Sequence, residues 1–364
     1  MKKGLAVSFL CASLACLSWA GKKYTIQPNS PEEKALFAAR TEQDPAKRIT
    51  QLDAFLQKFP QSAAAAYPHH LSSYVELKQW DKALEYGQKA YEADDEDPEI
   101  PSNHARAALG KGDRAAAVQW GAVGGALLNS LLSAPKPADT DEDDWKRRQE
   151  GLQNEREQLE YYVLQAITQE ADAPRRIQLL DQFTKVFSGT YAKRALAAYA
   201  MAYQQLGDLA KMTASAEKAV EVEPENEAMH LLLGEIFLGQ KRLDEAIQHA
   251  QLVVKIMEAK TRPENVPEAD WTTYVNNYRG AARSIVGRAL MLQEKTTAAV
   301  PELKAAADLL ADPQALAPVL YNLGFAYAKQ KQLADARAVL NKAVLIPGPY
   351  QKLTKELLAK VQGR

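Results

Sequence analysis

Histidine is the residue type of this 364-residue chain that could most readily bind a metal or transfer a proton, and five are present. None forms a His-Glu-x-x-His pair, and the sequence contains neither a Gly-x-Ser-x-Gly elbow nor a glycine-rich phosphate loop. His69 and His70 are adjacent, so on a helix they diverge by about 100° and cannot easily hold one metal. We expect this pair in solvent or in a groove, and His230 in a packed helix crossing. The residue types therefore predict no catalytic site, no cofactor and no metal.

Acidic residues are concentrated between Asp139 and Asp144, in a segment that also contains two prolines. Alternating acids occur in calcium loops, but the glycine and the distal glutamate of EF-hand spacing are missing here. Prolines beside a run of charge are typical of an exposed linker, which we place at 133–145. We expect Asp144 to cap a helix that begins near Trp145.

Both cysteines, Cys11 and Cys16, lie in an N-terminal segment that has the features of a secretory signal. Residues 1–3 are positively charged, residues 4–17 are largely apolar, and small residues precede a cleavage site after Ala20. Cleavage there would leave a mature chain without thiols, which excludes disulfides and thiolate catalysis. We expect an exported protein that is periplasmic or secreted.

A lipid anchor at Cys16 is the alternative for this segment. Leu14, Ala15 and Cys16 resemble the end of a lipobox, although Ser13 stands where a large aliphatic residue is expected. Acylation would keep the protein on the envelope. The sequence favours the simpler interpretation, in which Cys16 is a small residue of the signal. No later stretch is predicted to be apolar for long enough to span a membrane.

The charge balance argues against nucleic acid as a partner. The formal net charge is −1, and no block of basic residues is interleaved with aromatic residues. The most basic cluster, residues 146–148, directly follows the acidic run, so the two largely neutralise each other at a distance. A polybasic membrane-binding patch is not predicted either.

Small and bulky residues recur along the chain with a period of 34 residues. Ala200 and Gly234 are 34 residues apart, and three residues after each lie Tyr203 and Phe237. A small residue at a helix crossing lets two backbones approach, and the aromatic ring fills the space beside it. A unit of this length is a helix–turn–helix that cannot bury its apolar face alone and must stack on its neighbours.

At these positions the chain resembles the tetratricopeptide repeat family. The resemblance implies an all-α solenoid of helical hairpins that winds as a right-handed superhelix. Some positions depart from the family pattern, since Met212 replaces a small residue and the first two units lack a terminal proline. The units that follow the pattern are 64–97, 98–131, 193–226, 227–260, 280–313 and 317–350.

A second internal similarity lies beneath the repeats. Residues 36–64 align with residues 164–192 at an offset of 128, with identical pairs such as Phe55 and Phe183. This alignment indicates a duplicated block. The expected organisation is a signal peptide at 1–20, an N-terminal helical array at 21–132, the linker at 133–145, a C-terminal array at 146–350 and a capping helix at 351–364.

An insertion at 260–270 delays the repeat period and precedes a long predicted helix. On that helix Trp271, Tyr274 and Tyr278 share one face because they are three and four residues apart. Such a strip either contacts a ligand or covers the preceding unit as part of the core. The second interpretation is the commoner one.

In the tetratricopeptide family the first helices of successive units line a concave groove, and the resemblance places the corresponding residues there. The set with which some members clamp a C-terminal carboxylate is not present in register. The groove is mixed in character and fairly apolar, which suits an amphipathic helix or an extended segment of a protein partner. Alternatively, the apolar members are buried against neighbouring helices. The groove candidates are Met201, Leu231, Leu232, Glu235, Ile285, Arg288, Tyr321, Asn322 and Phe325.

The resemblance implies a protein–protein scaffold or adaptor of the bacterial cell envelope. Two other functions stay open from the sequence. One is an envelope-assembly lipoprotein of similar fold, and the other is an enzyme or ligand-binding protein with a pocket between repeats.

Overall fold

The computed structural model describes residues 26–363, and within this range it contains α-helices, one 3-10 turn at Pro60–Ala65 and no strand. These residues form two compact units. The first unit ends at Glu170 and also includes Asp181–Tyr191, whereas the second comprises Ala171–Leu180 and the chain from Ala192 onward. The predicted signal segment 1–20, with Cys16, lies outside the described residues.

The first unit is made of helices that pair through short turns, so that consecutive helices run antiparallel. These helices are α1 (Pro31–Thr41), α2 (Pro45–Lys58), α3 (Tyr67–Glu76), α4 (Trp80–Ala93), α5 (Glu99–Lys111), α6 (Arg114–Ser133) and α7 (Glu142–Thr168). The next two helices, α8 (Ala173–Val186) and α9 (Thr190–Leu206), each contain residues of both units.

The second unit continues the same pairing. Its further helices are α10 (Leu209–Val222), α11 (Glu227–Gly239), α12 (Leu243–Ala259), α13 (Glu268–Leu292), α14 (Thr296–Leu309), α15 (Pro313–Lys329), α16 (Leu333–Ala343) and α17 (Pro349–Gln362). Each of the six sequence repeats proposed above corresponds to one helix pair. These pairs are α3/α4, α5/α6, α9/α10, α11/α12, α13/α14 and α15/α16. The fold is therefore all-α and built of helical hairpins, as predicted.

Polar side chains mark where many of the helices begin. A side-chain oxygen accepts a hydrogen bond from a backbone N–H of the first turn, which would otherwise have no partner. The capping residues are Ser30, Asp44, Asp113, Asp141, Asp208, Asn226 and Asp312. The cap of α7 is Asp141 rather than the predicted Asp144, because the helix begins at Glu142 and Asp141 accepts from two N–H groups of its first turn.

Small residues occur where helices cross. A Cβ atom on Gly324 would lie 2.6 Å from Leu340, and one on Gly287 would lie 2.6 Å from Leu303. Each contact joins the two helices of one pair, α15 to α16 and α13 to α14. The pattern of small and bulky residues in the sequence thus reports close helix packing, as the repeat analysis proposed.

The helix bounds agree with the duplicated block. Helix α2 spans residues 45–58 and α8 spans residues 173–186, which is the same offset of 128 at both ends. Phe55 and Phe59 lie with ring centroids 5.3 Å apart, and Phe183 and Phe187 lie 4.9 Å apart. Both copies of the block therefore contain the same pair of packed aromatic rings at the end of their second helix.

The acidic segment 133–145 is a loop within the first unit, whereas the sequence suggested a boundary there. Helices α6 and α7 pack against each other across it, with Gly121 facing Val163 and Gly124 facing Leu159. The structure divides between residues 170 and 192 instead. The boundary predicted from composition differs from the observed one, because an exposed loop between two packed helices is rich in the same residue types as a linker between domains.

Helix α6 also corrects the expectation that no later stretch is apolar enough for a membrane span. Among the described residues, Arg114–Ser133 is long and apolar enough by length and composition alone, and a third of that stretch is buried inside the protein. Its buried face carries Gly121, Gly124 and Gly125, which admit side chains of α7 and of residues 186–187. A core helix of a folded protein meets the same criterion.

Candidate functional site

The first helices of successive pairs in the second unit, α9, α11, α13 and α15, carry the predicted groove residues; we call their shared side the first-helix face. Helix α11 packs on α13, and α13 packs on α15. Met201 on α9 is 46% exposed and Phe325 on α15 is 37% exposed, which is high for apolar side chains of this size. Leu231 and Leu232 on α11 are partly buried. Apolar surface thus remains accessible on this face.

Two charged groove candidates form a pair. The Arg288 guanidinium on α13 donates to both Glu235 oxygens on α11, at 2.8 and 3.1 Å. Both side chains are partly exposed, so the pair contributes roughly 0.2–1 kcal/mol to stability. Its main effect is to neutralise two charges in the middle of the first-helix face.

Ile285 is a correction to the predicted set. Its side chain is fully buried, and it lies 3.3 Å from the position that a Cβ atom would take on Gly234. The residue therefore joins α13 to α11 within the core and offers no surface to a partner. The repeat register placed Ile285 on the groove surface, whereas the crossing of α13 with α11 turns its side chain into the core.

Tyr321 and Asn322 on α15 are half-buried and already have partners. The Tyr321 ring lies 5.6 Å from that of Tyr350, and the Asn322 side-chain amide donates to the Pro318 carbonyl at 2.7 Å. Phe325, one turn further on, is covered only in part, with the Lys329 ammonium 5.5 Å from its ring centroid. At this end of the face, Phe325 is therefore the most accessible candidate.

A cleft of about 720 Å³ opens at the beginning of α11, about two helical turns before Glu235. The cleft lies between the start of α11 and the first turns of α13; we call it the α11–α13 cleft. Its lining residues are Glu223, Pro224, Glu225, Asn226, Glu227, Ala228, Lys260, Tyr274 and Tyr278.

Glu227, the first residue of α11, is the centre of the hydrogen bonds in this cleft. Its Oε1 accepts from the Lys260 ammonium and from the Tyr274 hydroxyl. Burial of Glu227 disfavours its charged form, but the hydrogen bonds from Lys260 and Tyr274 outweigh this and lower the pKa of the carboxyl. Glu227 is therefore ionised at neutral pH and is not suited to act as a general acid.

The aromatic strip of α13 forms a wall of the cleft. The Trp271 and Tyr274 rings lie 5.5 Å apart, and those of Tyr274 and Tyr278 lie 4.9 Å apart. Tyr274 and Tyr278 pack partly on the core of the second unit and also line the cleft. The core interpretation is confirmed in part, since Tyr274 and Tyr278 pack on the preceding repeat, whereas contact of the strip with a ligand stays a prediction. Burial raises the pKa of both phenols, so they stay neutral.

His230 and His249 pack against each other in the second unit. His230 is buried as predicted, and its Nδ1 lies 2.8 Å from that of His249. Its Nε2 lies 2.9 Å from the Pro224 carbonyl, which can only accept, so Nε2 carries a proton and the neutral Nδ1 accepts from His249. Burial lowers the pKa of both rings, and that of His249 to about 4. Both are neutral at physiological pH.

His70 is not in solvent or in a groove, as the sequence suggested, but fully buried. Its Nδ1 lies 3.1 Å from the Ala66 carbonyl, its Nε2 lies 3.0 Å from Asp53, and its ring stacks on Tyr86 at 4.4 Å. A histidine with both ring nitrogens bonded and its face covered connects α2, α3 and α4 in the first unit. The sequence carries no signal for this, because Asp53 is 17 residues away.

Among the described residues, the carboxyls whose pKa is raised lie outside the α11–α13 cleft. Among residues 26–363, no group of three or more His, Cys, Asp and Glu side chains is placed to hold a metal ion. The carboxyls with raised pKa values, Glu155 and Glu160, belong to the first unit, whereas the α11–α13 cleft belongs to the second. Glu155 bonds to Ser102 at 3.0 Å and Glu160 accepts from the Gly189 N–H at 3.0 Å. Both contacts join separate segments of the unit.

Comparison with known proteins identifies the repeats. Residues 193–226 and 317–347 match the tetratricopeptide repeat family. The first segment coincides with a unit proposed from the sequence, and the second lies within another. A comparison with curated protein sequences gives no match.

One solved structure of a tetratricopeptide repeat-containing protein shows the same fold. The C-terminal part of a tetratricopeptide repeat-containing protein from Cytophaga hutchinsonii is 12% identical, with a TM-score of 0.50 over 79% of this chain and 98% of that one. This likeness shows the fold alone. Two further similar structures have lower TM-scores. They are the Cut9-Hcn1 hetero-tetramer of the APC/C (15% identity, TM-score 0.43, 90% of this chain and 54% of that one) and the P58(IPK) tetratricopeptide domain (14%, 0.32, 92% and 98%). The chain thus spans about half of the Cut9-Hcn1 chain that it matches.

The chain therefore contains tetratricopeptide repeats and has the helical-hairpin fold of proteins built from them. This fold serves in general as a scaffold for protein–protein interaction, and its members are generally not catalysts. The α11–α13 cleft was not predicted as a site. The insertion at 260–270 was the sequence signal that could have indicated it, because Lys260 begins that insertion and Tyr274 and Tyr278 follow it.

Proposed function

We propose that the chain is an exported adaptor of a bacterial cell envelope, and that it binds a helix or an extended segment of a protein partner across its first-helix face. The observation that carries this proposal is the exposure of Met201 and Phe325, large apolar side chains on the first helices of repeats. Exposed apolar groups on a folded surface are what a partner's apolar side chains would cover.

The polar groups of the face support the same kind of partner. The Glu235–Arg288 pair leaves no net charge in the middle of the face, and Leu231 and Leu232 lie on the same helix as Glu235. An amphipathic segment would place apolar side chains against the leucines and polar ones beside the ion pair. Such surfaces bind through a few apolar anchors, so single substitutions are informative.

The test is affinity capture from native envelope with the mature chain and with three separate variants, Met201→Glu, Leu232→Glu and Phe325→Glu. Each variant puts a carboxylate where an apolar contact would form, so we expect partners to be lost or strongly reduced. Leu345→Glu is the matched control, because Leu345 is 79% exposed but lies between α16 and α17. Helical circular dichroism should be unchanged in all four. If every partner survives all three substitutions, the first-helix face is not the binding surface.

Export and anchoring are tested separately by the mass of the mature N-terminus. A chain that begins at Gly21 supports the freely exported adaptor. An acylated Cys16 would instead support an envelope lipoprotein with the same fold, and an intact Met1 would contradict export. The groove proposal does not depend on which of these is found.

A further inference from the structure

The α11–α13 cleft exists because the chain departs from its repeat period at this place. A regular unit passes from its second helix to the next first helix through a short turn, as α14 does to α15. Between α12 and α13 the chain instead inserts residues 260–267, and α13 is 25 residues long against 17 for α15. Lys260, Tyr274 and Tyr278, which come from this insertion and the first turns of α13, make up the wall opposite the start of α11.

The cleft has an excess of negative charge. Glu223, Glu225 and Glu227 line it; Lys260 pairs with Glu227 and Arg194 pairs with Glu223, so the excess is one carboxylate, that of Glu225. Glu225 is exposed at the mouth, and Glu223 pairs with Arg194 at 2.9 Å. Carboxylates grouped in a concave surface make its potential negative and favour cations there.

The aromatic wall suits the same kind of ligand. The face of a phenol ring attracts a cation within about 6 Å of its centroid, and this attraction adds to that of a carboxylate. Tyr274 and Tyr278 present such rings beside Glu227, and neither phenol ionises near neutral pH because burial raises its pKa. A flat or extended cation could therefore lie between carboxylate and ring.

Lys260 shows which group fits the cleft. Its ammonium donates to Glu227 and lies 5.9 Å from the centroid of the Tyr274 ring. The lysine follows the last residue of α12, its side chain is 39% exposed, and the residues after it are exposed as well. Its ammonium can therefore turn outward without disturbing a helix.

We propose that the α11–α13 cleft binds the ammonium or guanidinium group of a lysine or arginine side chain, and that Lys260 fills the cleft until such a group displaces it. Glu227 and Tyr274 hold the cation, and Glu225 attracts it at the mouth. Glu227, Leu231 and Glu235 are spaced four residues apart on α11, so the cleft continues the first-helix face. That the cation belongs to a partner protein rests on the proposed function, whereas the cation site itself does not.

The test uses two short peptides, acetyl-Gly-Arg-Gly-amide and the same peptide with citrulline, titrated into the mature chain by calorimetry or NMR. Citrulline keeps the shape of arginine but has no charge. We expect the arginine peptide to bind at least about tenfold more tightly, since hydrogen bonds between charged groups are the stronger ones. Its affinity should fall with added salt. Equal affinities for the two peptides would overturn the proposal.

Variants then locate the site and test the displacement of Lys260. Lys260→Met removes the internal competitor and should tighten binding of the arginine peptide several-fold, whereas Lys255→Met on the exposed side of α12 should not. Glu227→Gln and Glu225→Gln should weaken binding, whereas Glu264→Gln, in the exposed part of the insertion, should not. Because Glu227 is nearly buried, Glu225→Gln keeps the test decisive if the other variant folds poorly.

The outcomes separate this proposal from that of the first-helix face. Neither peptide carries an apolar side chain, so their binding is independent of Met201 and Phe325. If Lys260→Met leaves the affinity unchanged or lowers it, Lys260 is only a structural ion pair and the cleft site is rejected, even if the Met201, Leu232 and Phe325 variants lose their partner. If the peptides behave as expected and those variants retain every partner, the cation site stands without the groove.

Discussion

Ser102 on α5 contacts Glu155 on α7, and its hydroxyl has a single proton for two neighbouring oxygen atoms. Its Oγ lies 2.7 Å from the carbonyl of Pro98, the residue before α5, and 3.0 Å from Oε1 of Glu155 on α7. A carbonyl can only accept, so when Ser102 donates to Pro98 the contact with Glu155 requires a protonated carboxyl that donates to Ser102. Burial, together with the charges of Glu99 and Asp97, raises the pKa of Glu155 to about 8. Both observations describe a neutral carboxyl at pH 7.

This geometry predicts how Glu155 affects stability as pH changes. The pKa of Glu155 is about 8 in the folded protein, against an ordinary value of 4.5 that holds in the unfolded chain. Between these two pH values the folded state therefore binds more protons than the unfolded state. The stabilising effect of Glu155 is complete below pH 4.5 and is lost as pH rises towards 8, by an amount on the order of 5 kcal/mol at most. Glu155→Gln keeps a donor for Ser102 and cannot ionise, so the variant should gain stability relative to the natural chain as pH rises.

The measurement is the difference in Tm between Glu155→Gln and the natural chain at intervals from pH 5 to pH 9. The difference should grow through this window and level off above it. Other titrating groups are common to both proteins and cancel. A difference that is constant across the window would mean that Glu155 is already ionised in the folded protein.

At the scale of the helix pair, the turn between first and second helices has one recurring requirement. In every one of the six repeat units, one residue of this turn has a positive φ, between 56° and 87°. Glycine adopts this conformation at little cost, whereas other residues are strained by it. The residues concerned are Lys78, Gly112, Gly207, Lys241, Glu294 and Lys331. Four of the six are not glycine, so the surrounding helix packing imposes the turn.

Alanine substitutions at Gly207 and Gly239 distinguish the effect of backbone strain from that of side-chain packing. A Cβ atom would meet nothing within 4 Å at either residue, but only Gly207 has a positive φ, of 69°. We expect Gly207→Ala to lower the free energy of unfolding by about 1 kcal/mol. Gly239→Ala, in the last turn of α11, should instead be neutral or stabilise by up to about 1 kcal/mol. Denaturant unfolding measures both, and the same sign for the two substitutions would contradict this explanation of the turn.

At the scale of the whole chain, helical repeats contact mainly their neighbours in sequence. In the second unit, α15 packs on α13, α14, α16 and α17, while α11 packs on α10, α12 and α13. Stability in such an arrangement is approximately a sum of local terms, so a defect at one end should spread only a short distance. A single free energy of unfolding need not describe this chain.

Gly324→Ala tests this locality. The added methyl group would overlap the Leu340 side chain at the crossing of α15 and α16, which typically costs about 1–3 kcal/mol. We expect faster amide hydrogen exchange in α15, α16 and α17, measured by mass spectrometry, and little change in α11 and α12. Equal acceleration in all five helices would show that the second unit unfolds as one cooperative body.

Much of the fold can be predicted from the sequence, because the residues that pack two helices together lie close to each other within one repeat. A small residue and an aromatic ring at a period of 34 residues require a hairpin of that length, whatever surrounds it. All six helix pairs and the burial of His230 could therefore be predicted. The same local information also revealed the duplicated block that contains α2 and α8.

The sequence by itself determined that the chain is a series of stacked helix pairs, and it predicted a surface on their first helices for a protein partner. Only the tertiary structure decided which residues face that surface. Ile285 fills the core while Met201 stays exposed, and Glu227, Lys260 and Tyr274 meet although they are up to 47 residues apart. The physical reason is that helix periodicity sets which residues share a face, whereas the crossing of two helices sets whether that face is covered. The cleft between α11 and α13 depends on such a crossing, and on the inserted residues that hold it open.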